Sequence, residues 1–165
     1  MRVLVFGNSG SGKSTHAKAL AAQHGLAHLD LDSIVWEPGV AVERPRESIM
    51  RSLEAFVAAN PRWVIEGCYG ELVEAAAPLA TMLVFLNPGL KACLANNRRR
   101  PWESHKYASL EQQNAMLDVL QAWVADYYTR GGSWSYQAHR RIFDAHRGAK
   151  VEHTRPVVAP GSETP

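Results

Sequence analysis

Gly7-Asn8-Ser9-Gly10-Ser11-Gly12-Lys13-Ser14 is the stretch on which the reading of this chain turns. A glycine, four residues and then Gly-Lys-Ser is the spacing of a phosphate-binding loop, provided that it follows a strand and opens a helix. Both flanks meet that condition. Val3-Leu4-Val5-Phe6 is a short continuous apolar run, which suits a strand buried on both faces of a parallel sheet. Ala17, Leu20 and Ala21 recur at helical spacing until Gly25, predicting a helix from Lys13 to about His24. Glycines let backbone N–H groups close around phosphate oxygens, and the dipole of the following helix attracts the same charge. Lys13 is a mobile cation for the outer phosphates, and the Ser14 hydroxyl is a magnesium ligand. Gly7, Asn8, Ser9, Gly10, Ser11, Gly12, Lys13, Ser14 and Thr15 are the expected contacts to a nucleoside triphosphate, read as ATP with Mg2+.

Further along, Ala27 to Leu31 reads as a second strand, followed by a loop containing Trp36, Pro38 and Gly39. Pro45 opens a helix with Ile49, Leu53, Phe56 and Val57 inward, and Asn60-Pro61 closes it. Trp63-Val64-Ile65, ending at Glu66-Gly67, and Met82 to Leu86, ending at Asn87-Pro88, are two more buried strands. A helix runs from there towards Arg98. Ser109 with Gln112 forms a capping-box pattern, and Met116, Leu120, Trp123, Val124 and Tyr127 continue at three- and four-residue steps, predicting the strongest helix of the chain. Ser135 to His146 reads as another helix and Lys150 to Thr154 as a fifth strand. Strands alternating with helices imply an α/β fold, a parallel sheet covered on both faces.

The 165 residues suit one domain, taken as 1–155, with a Pro-rich tail over 156–165. A net charge of +2 and a single dense basic cluster, Arg98-Arg99-Arg100, argue against a nucleic-acid partner. Cys68 and Cys93 have no metal-ligand spacing and are expected as free thiols of a cytoplasmic protein. The N-terminal apolar run is too short for a signal peptide or membrane span.

Magnesium and the attacking group need acidic partners at the C-terminal edge of the sheet, where open α/β folds bind ligands. Asp30 and Asp32 follow the second strand and Glu66 ends the third. Turn and cap chemistry is an alternative use of the two aspartates. Trp36 either packs in the core or lines an acceptor site.

These segments together resemble the small P-loop kinases of the adenylate and shikimate kinase type, and within them the adenylate-kinase-related topology modulation proteins. The carriers are the phosphate loop, His28-Leu29-Asp30 followed by Trp36, Trp63-Val64-Ile65-Glu66-Gly67-Cys68-Tyr69, and Leu83-Val84-Phe85-Leu86 leading to the arginines. The resemblance implies a three-layer P-loop NTPase fold with strand order 2-3-1-4-5 and a short lid over Arg100 to Tyr107. It implies Asp32 as the carboxylate facing the acceptor hydroxyl, with Trp36, Gly67 and Tyr69 beside it, and Asp30 and Glu66 on the magnesium side. Arg98, Arg99 and Arg100 then correspond to lid arginines, and Arg155 lies where related folds hold the base. The departures are a Glu at position 66 where adenylate kinases carry Asp, and no long monophosphate-binding insert. The function implied is phosphoryl transfer from Mg-ATP to a small hydroxyl- or phosphate-bearing acceptor, by a monomer or homodimer. The alternative is an ATP-binding regulatory or nucleic-acid-associated protein with slow hydrolysis. No Asn-Lys-x-Asp base motif supports a GTPase.

Replacing Lys13 by alanine is expected to weaken triphosphate binding strongly and to leave the far-ultraviolet circular dichroism unchanged. Wild-type affinity in calorimetric titration with Mg-ATP would contradict the loop assignment.

Overall fold

The computed structural model describes residues 1–38, 42–103 and 107–157. Five strands form one all-parallel sheet in the order β2-β3-β1-β4-β5: β1 Arg2–Gly7, β2 Ala27–Asp30, β3 Trp63–Gly67, β4 Met82–Leu86 and β5 Ala149–His153. This is the α/β class and the strand order expected from the sequence. Parallel neighbours require crossovers, and the helices that supply them cover both faces. The central strands β1, β3 and β4 are apolar on both sides, so their residues divide by parity between two cores. Leu4, Phe6, Trp63, Ile65, Leu83 and Phe85 face helices α3 (Arg46–Ala59), α4 (Gly70–Ala76) and α8 (Tyr136–Ala145). Val3, Val5, Val64, Val84 and Leu86 face α1 (Lys13–His24), which contributes Ala17.

Local sequence explains most element ends. Helix α1 stops at Gly25, whose N–H bonds back to the Ala21 carbonyl. Helix α8 starts at Ser135, whose hydroxyl accepts the Ala138 N–H at 3.2 Å. Helix α5 (Leu90–Arg98) follows β4 and leads to the arginine run.

Three expectations need correction. The stretch after Asp30 is not a plain loop: Asp32–Val35 makes one helical turn, α2, and Trp36 then bridges to Glu43 in antiparallel sense. The strong helix predicted from Ser109 onward is two, α6 (Leu110–Ala115) and α7 (Leu117–Ala125). Ser109 does cap Gln112, but α6 buries no residue, so the core does not hold it in line with α7, which buries Val124. Residues 70–79, for which the sequence suggested no element, hold α4 and a 3₁₀ turn. Gly39, the lid residues Ser104, His105 and Lys106, and positions 158–165 of the expected tail lie outside the described residues; Val157 packs against the α1-side core. Among the described residues no helix is long and apolar enough to cross a membrane, and no disulfide joins Cys68 to Cys93.

A buried histidine ties the floor of the sheet edge together. His139 on α8 has no exposed surface; its Nε2–H donates to the Cys68 carbonyl just after β3 at 3.1 Å. Nδ1 therefore accepts from the Tyr127 hydroxyl at 2.7 Å. Burial pushes the imidazole pKa down to about 3, so it stays neutral and holds this tautomer at ordinary pH.

Close packing also restricts the entry to α4. A Cβ built on Gly70 would sit 1.6 Å from the Ser133 carbonyl oxygen. Gly70→Ala is expected to destabilise by about 1–3 kcal/mol or more, as overpacking against backbone does. A thermal or urea melt measures it, and an unchanged midpoint would contradict the close approach of the two segments.

Candidate functional site

The phosphate loop joins β1 to α1 at the C-terminal edge of the sheet, as its sequence context requires. Lys13 is buried, and its ammonium donates to the Asn8 carbonyl at 2.8 Å across the loop. Ser14 and Thr15 are exposed at the start of α1, next to that cation. The outside of the loop is fastened by side chains. Asn8 donates through Nδ2 to the Val124 carbonyl of α7 at 3.1 Å and accepts the Ser9 N–H at 2.8 Å. Asn96 Nδ2 donates to the Gly10 carbonyl at 2.9 Å, and the Ser9 hydroxyl donates to Asn97 Oδ1 at 3.2 Å.

On the other side of the loop stand the acids. Strand register pairs Asp30 with Glu66 and Glu66 with Val5, which places both carboxylates on the α1 face of the sheet. Glu66 is 1% exposed, and its Oε1 has no hydrogen-bond partner among the described residues. His28 Nε2 lies 3.9 Å from that oxygen and is likewise buried without a hydrogen bond. Burial, reinforced by the nearby Asp30 charge, pushes the Glu66 carboxyl up to about 7; the Lys13 charge and a hydrogen bond from Ser14 pull the other way. The His28 pKa is lowered, first by burial.

Asp32 opens α2, and its N–H donates to Asp30 Oδ1 at 2.9 Å, so part of the expected turn chemistry is realised by Asp30. The Asp32 carboxylate accepts from the buried Tyr69 hydroxyl, which in turn accepts from the Trp36 indole N–H at 2.6 Å. Trp36 is half-buried and packs on the core while making this bond, so the two readings of it are not exclusive. Gly67 is buried at the end of β3 against Leu31. The three arginines separate: Arg98 and Arg99 are exposed, and Arg100 donates to Ser9 Oγ at 3.3 Å and to Glu103 at 3.1 Å. Arg155 is exposed in the turn after β5.

Sequence reasoning missed Asn96 and Asn97, the outer fasteners of the loop. Two adjacent asparagines, both weak helix formers, near the end of a helix are the signal that points to them.

The donors present suit magnesium. Glu66 offers a buried unpartnered oxygen, with Asp30 and the Ser14 hydroxyl in the same region. Among the described residues no group of three or more His, Cys, Asp and Glu is arranged to hold a metal by itself. Magnesium is commonly held by one or two carboxylates together with substrate phosphates and water, which this sparse oxygen set matches.

No family model matches the chain, and no protein of curated function matches it. Similar solved structures include a sugar kinase from Janibacter sp. HTCC2649, at 17% identity over 92% of this chain and 84% of that one, with a TM-score of 0.47. Shikimate kinase from Aquifex aeolicus vf5 matches at 17% identity over 92% and 85% of the two chains, TM-score 0.49. A gluconokinase from Sinorhizobium meliloti 1021 matches at 16% identity over 94% and 83%, TM-score 0.48. The class of this protein, a P-loop fold, rests on its own strand order and loop.

The elevated Glu66 pKa makes stability depend on pH. The unfolded chain ionises this carboxyl near 4.5, whereas the folded protein retains the proton up to about 7. Between those values the folded state binds more protons, so the stabilising contribution, complete below about 4.5, is lost as pH rises through 7. The difference amounts to roughly 3 kcal/mol at most. In magnesium-free buffer Glu66→Gln is expected to melt above the wild type at pH 8 and to lose that advantage below pH 5. Parallel melting curves across this range would exclude a buried acidic Glu66.

Proposed function

We propose that the protein is a phosphotransferase that moves the terminal phosphoryl group of ATP to a small hydroxyl- or phosphate-bearing acceptor. The observation that carries this reading is the convergence, at one sheet edge, of the phosphate loop with buried Lys13 and of Asp30, Asp32 and Glu66 on the side of β2 and β3. A loop that only bound nucleotide would not require the further carboxylate Asp32, held at the head of α2 by a hydrogen-bonded chain from Trp36 through Tyr69.

In this reading the N–H groups of the loop and Lys13 hold the phosphates and place the terminal group for in-line attack. Asp30, Glu66 and Ser14 would hold Mg2+. Magnesium, when bound, supplies charge neutralisation on the phosphate oxygens. Asp32 accepts the hydroxyl proton of the acceptor, or orients that hydroxyl, while the Tyr69 O–H keeps its carboxylate in one rotamer. Arg100, already at the rim of the loop, and the exposed Arg98 and Arg99 supply positive charge as the phosphoryl group transfers. Trp36, Gly67 and Tyr69 border the acceptor, and Arg155 borders the base. The finer resemblance, to topology modulation proteins, rests on the sequence segments quoted above.

The test is a search for compounds, among sugars, nucleosides and other small hydroxyl compounds, that stimulate ATP consumption. With such an acceptor, Asp32→Asn is expected to lower kcat by about 10²–10⁴-fold while Mg-ATP affinity changes little, the mark of an interaction made in the transition state. Asp30→Asn and Glu66→Gln should instead raise the magnesium concentration needed for half-maximal rate. Full activity of Asp32→Asn would remove the proposed base.

A further inference from the structure

The structure assigns Asn96 and Asn97 a role that a helix alone does not require: we propose that they are positioning residues which hold the phosphate loop open for a polyphosphate before it arrives. The proposal rests on the nucleotide-binding reading above and extends it to residues outside the motif.

A phosphate loop grips its anion by turning N–H groups inward, which turns carbonyl oxygens outward, where they need partners. Asn96 provides one, donating from Nδ2 to the Gly10 carbonyl at 2.9 Å. Asn97 acts on the next residue back. It is 3% exposed, and its Oδ1 accepts the Ser9 hydroxyl at 3.2 Å. The same hydroxyl accepts from Arg100 at 3.3 Å, so Asn97, Ser9 and Arg100 form a continuous chain from α5 through the loop to the start of the lid.

Sterics complete the restraint. Gly10 has φ +76°, and a Cβ there would lie 2.3 Å from the Cys93 carbonyl oxygen and 2.6 Å from Asn97 Nδ2. The loop thus has no room to move towards α5, and the two asparagines keep it from lifting away. A site ordered in advance spends less of its binding energy on ordering itself. Asn97 also brings a buried Nδ2 with no hydrogen-bond partner among the described residues, a cost that packing alone would avoid by placing leucine there. Helix propensity likewise favours Ala, Leu or Lys over Asn at both positions.

The experiment titrates the full-length wild type, Asn96→Ala, Asn97→Ala, Ser9→Ala and the Ser9→Ala/Asn97→Ala double variant with inorganic tripolyphosphate and with Mg-ATP. Melting temperatures are recorded without ligand. Asn96→Ala and Asn97→Ala are each expected to weaken both ligands by the same factor, about 3- to 10-fold. Equal factors follow because the effect is on the phosphates and not on the base. The double variant should bind no worse than Ser9→Ala alone, since Ser9→Ala already removes the Ser9–Asn97 bond, together with the one from Arg100. Asn96 is exposed, so its substitution should leave the ligand-free melting temperature within about 2 °C of the wild type, which separates positioning from folding. Should Asn97→Ala fail to fold, Asn96→Ala decides alone. Wild-type affinity of Asn96→Ala, or multiplying losses in the double variant, would overturn the proposal while leaving nucleotide binding intact. Absence of binding to both ligands by the wild type would overturn the nucleotide reading itself, and this proposal with it.

Discussion

Gly10 rests on α5 with no space for a side chain between its Cα and the Cys93 carbonyl, and the geometry of the sheet edge depends on that contact. The contact exists because β4 is the direct neighbour of β1, so the helix that leaves β4 begins beside the loop that leaves β1. On the opposite side β1 is flanked by β3 and then β2, which delivers Glu66, Asp30 and Asp32. The strand order therefore divides the surroundings of the phosphate loop by chemistry. Asn96, Asn97 and Arg100 approach from one side and Asp30, Asp32 and Glu66 from the other, with Lys13 between them.

This division has an electrostatic consequence. Glu66 sits on a strand whose other residues are apolar and fully buried, and its ionisation is opposed by desolvation and by Asp30 across the ladder. A leucine at the same place would fit the core at lower cost. Lys13 offsets the burial only in part. Asp32 has a different environment: it stands at the head of α2, half-exposed, with its carboxylate bound by Tyr69 rather than buried beside another acid. Two carboxylates with different surroundings suit two roles.

The segment that carries Tyr69 has its own scaffold. Tyr69 stacks edge-on with Trp134 at 5.1 Å, and Arg130 lies 3.7 Å over the Trp123 ring while donating to the Trp123 and Trp134 carbonyls. His139 fixes Cys68 from beneath. The segment from Gly67 to Gly70 is therefore held by α8 and by the Ser133 backbone, and Tyr69 reaches Asp32 from a rigid base.

The amino-acid sequence by itself determined the class of this protein. Apolar runs that end in glycine or acid, alternating with helical periods, are local features, and a motif of eight contiguous residues carries its own geometry. That is why β1, the phosphate loop and α1 stand where they were read, as do β3 and β4. Tertiary structure decided what local periodicity cannot encode. It broke the helix after Ser109 in two, because only the second half reaches the core. It turned three adjacent arginines to different uses, since α5 ends at Arg98 and Arg100, past the helix end, reaches Ser9 while Arg98 and Arg99 stay in solvent. It also brought Asn96 and Asn97 onto a loop more than eighty residues away, a contact set by the adjacency of β1 and β4 and carried by no spacing in the chain.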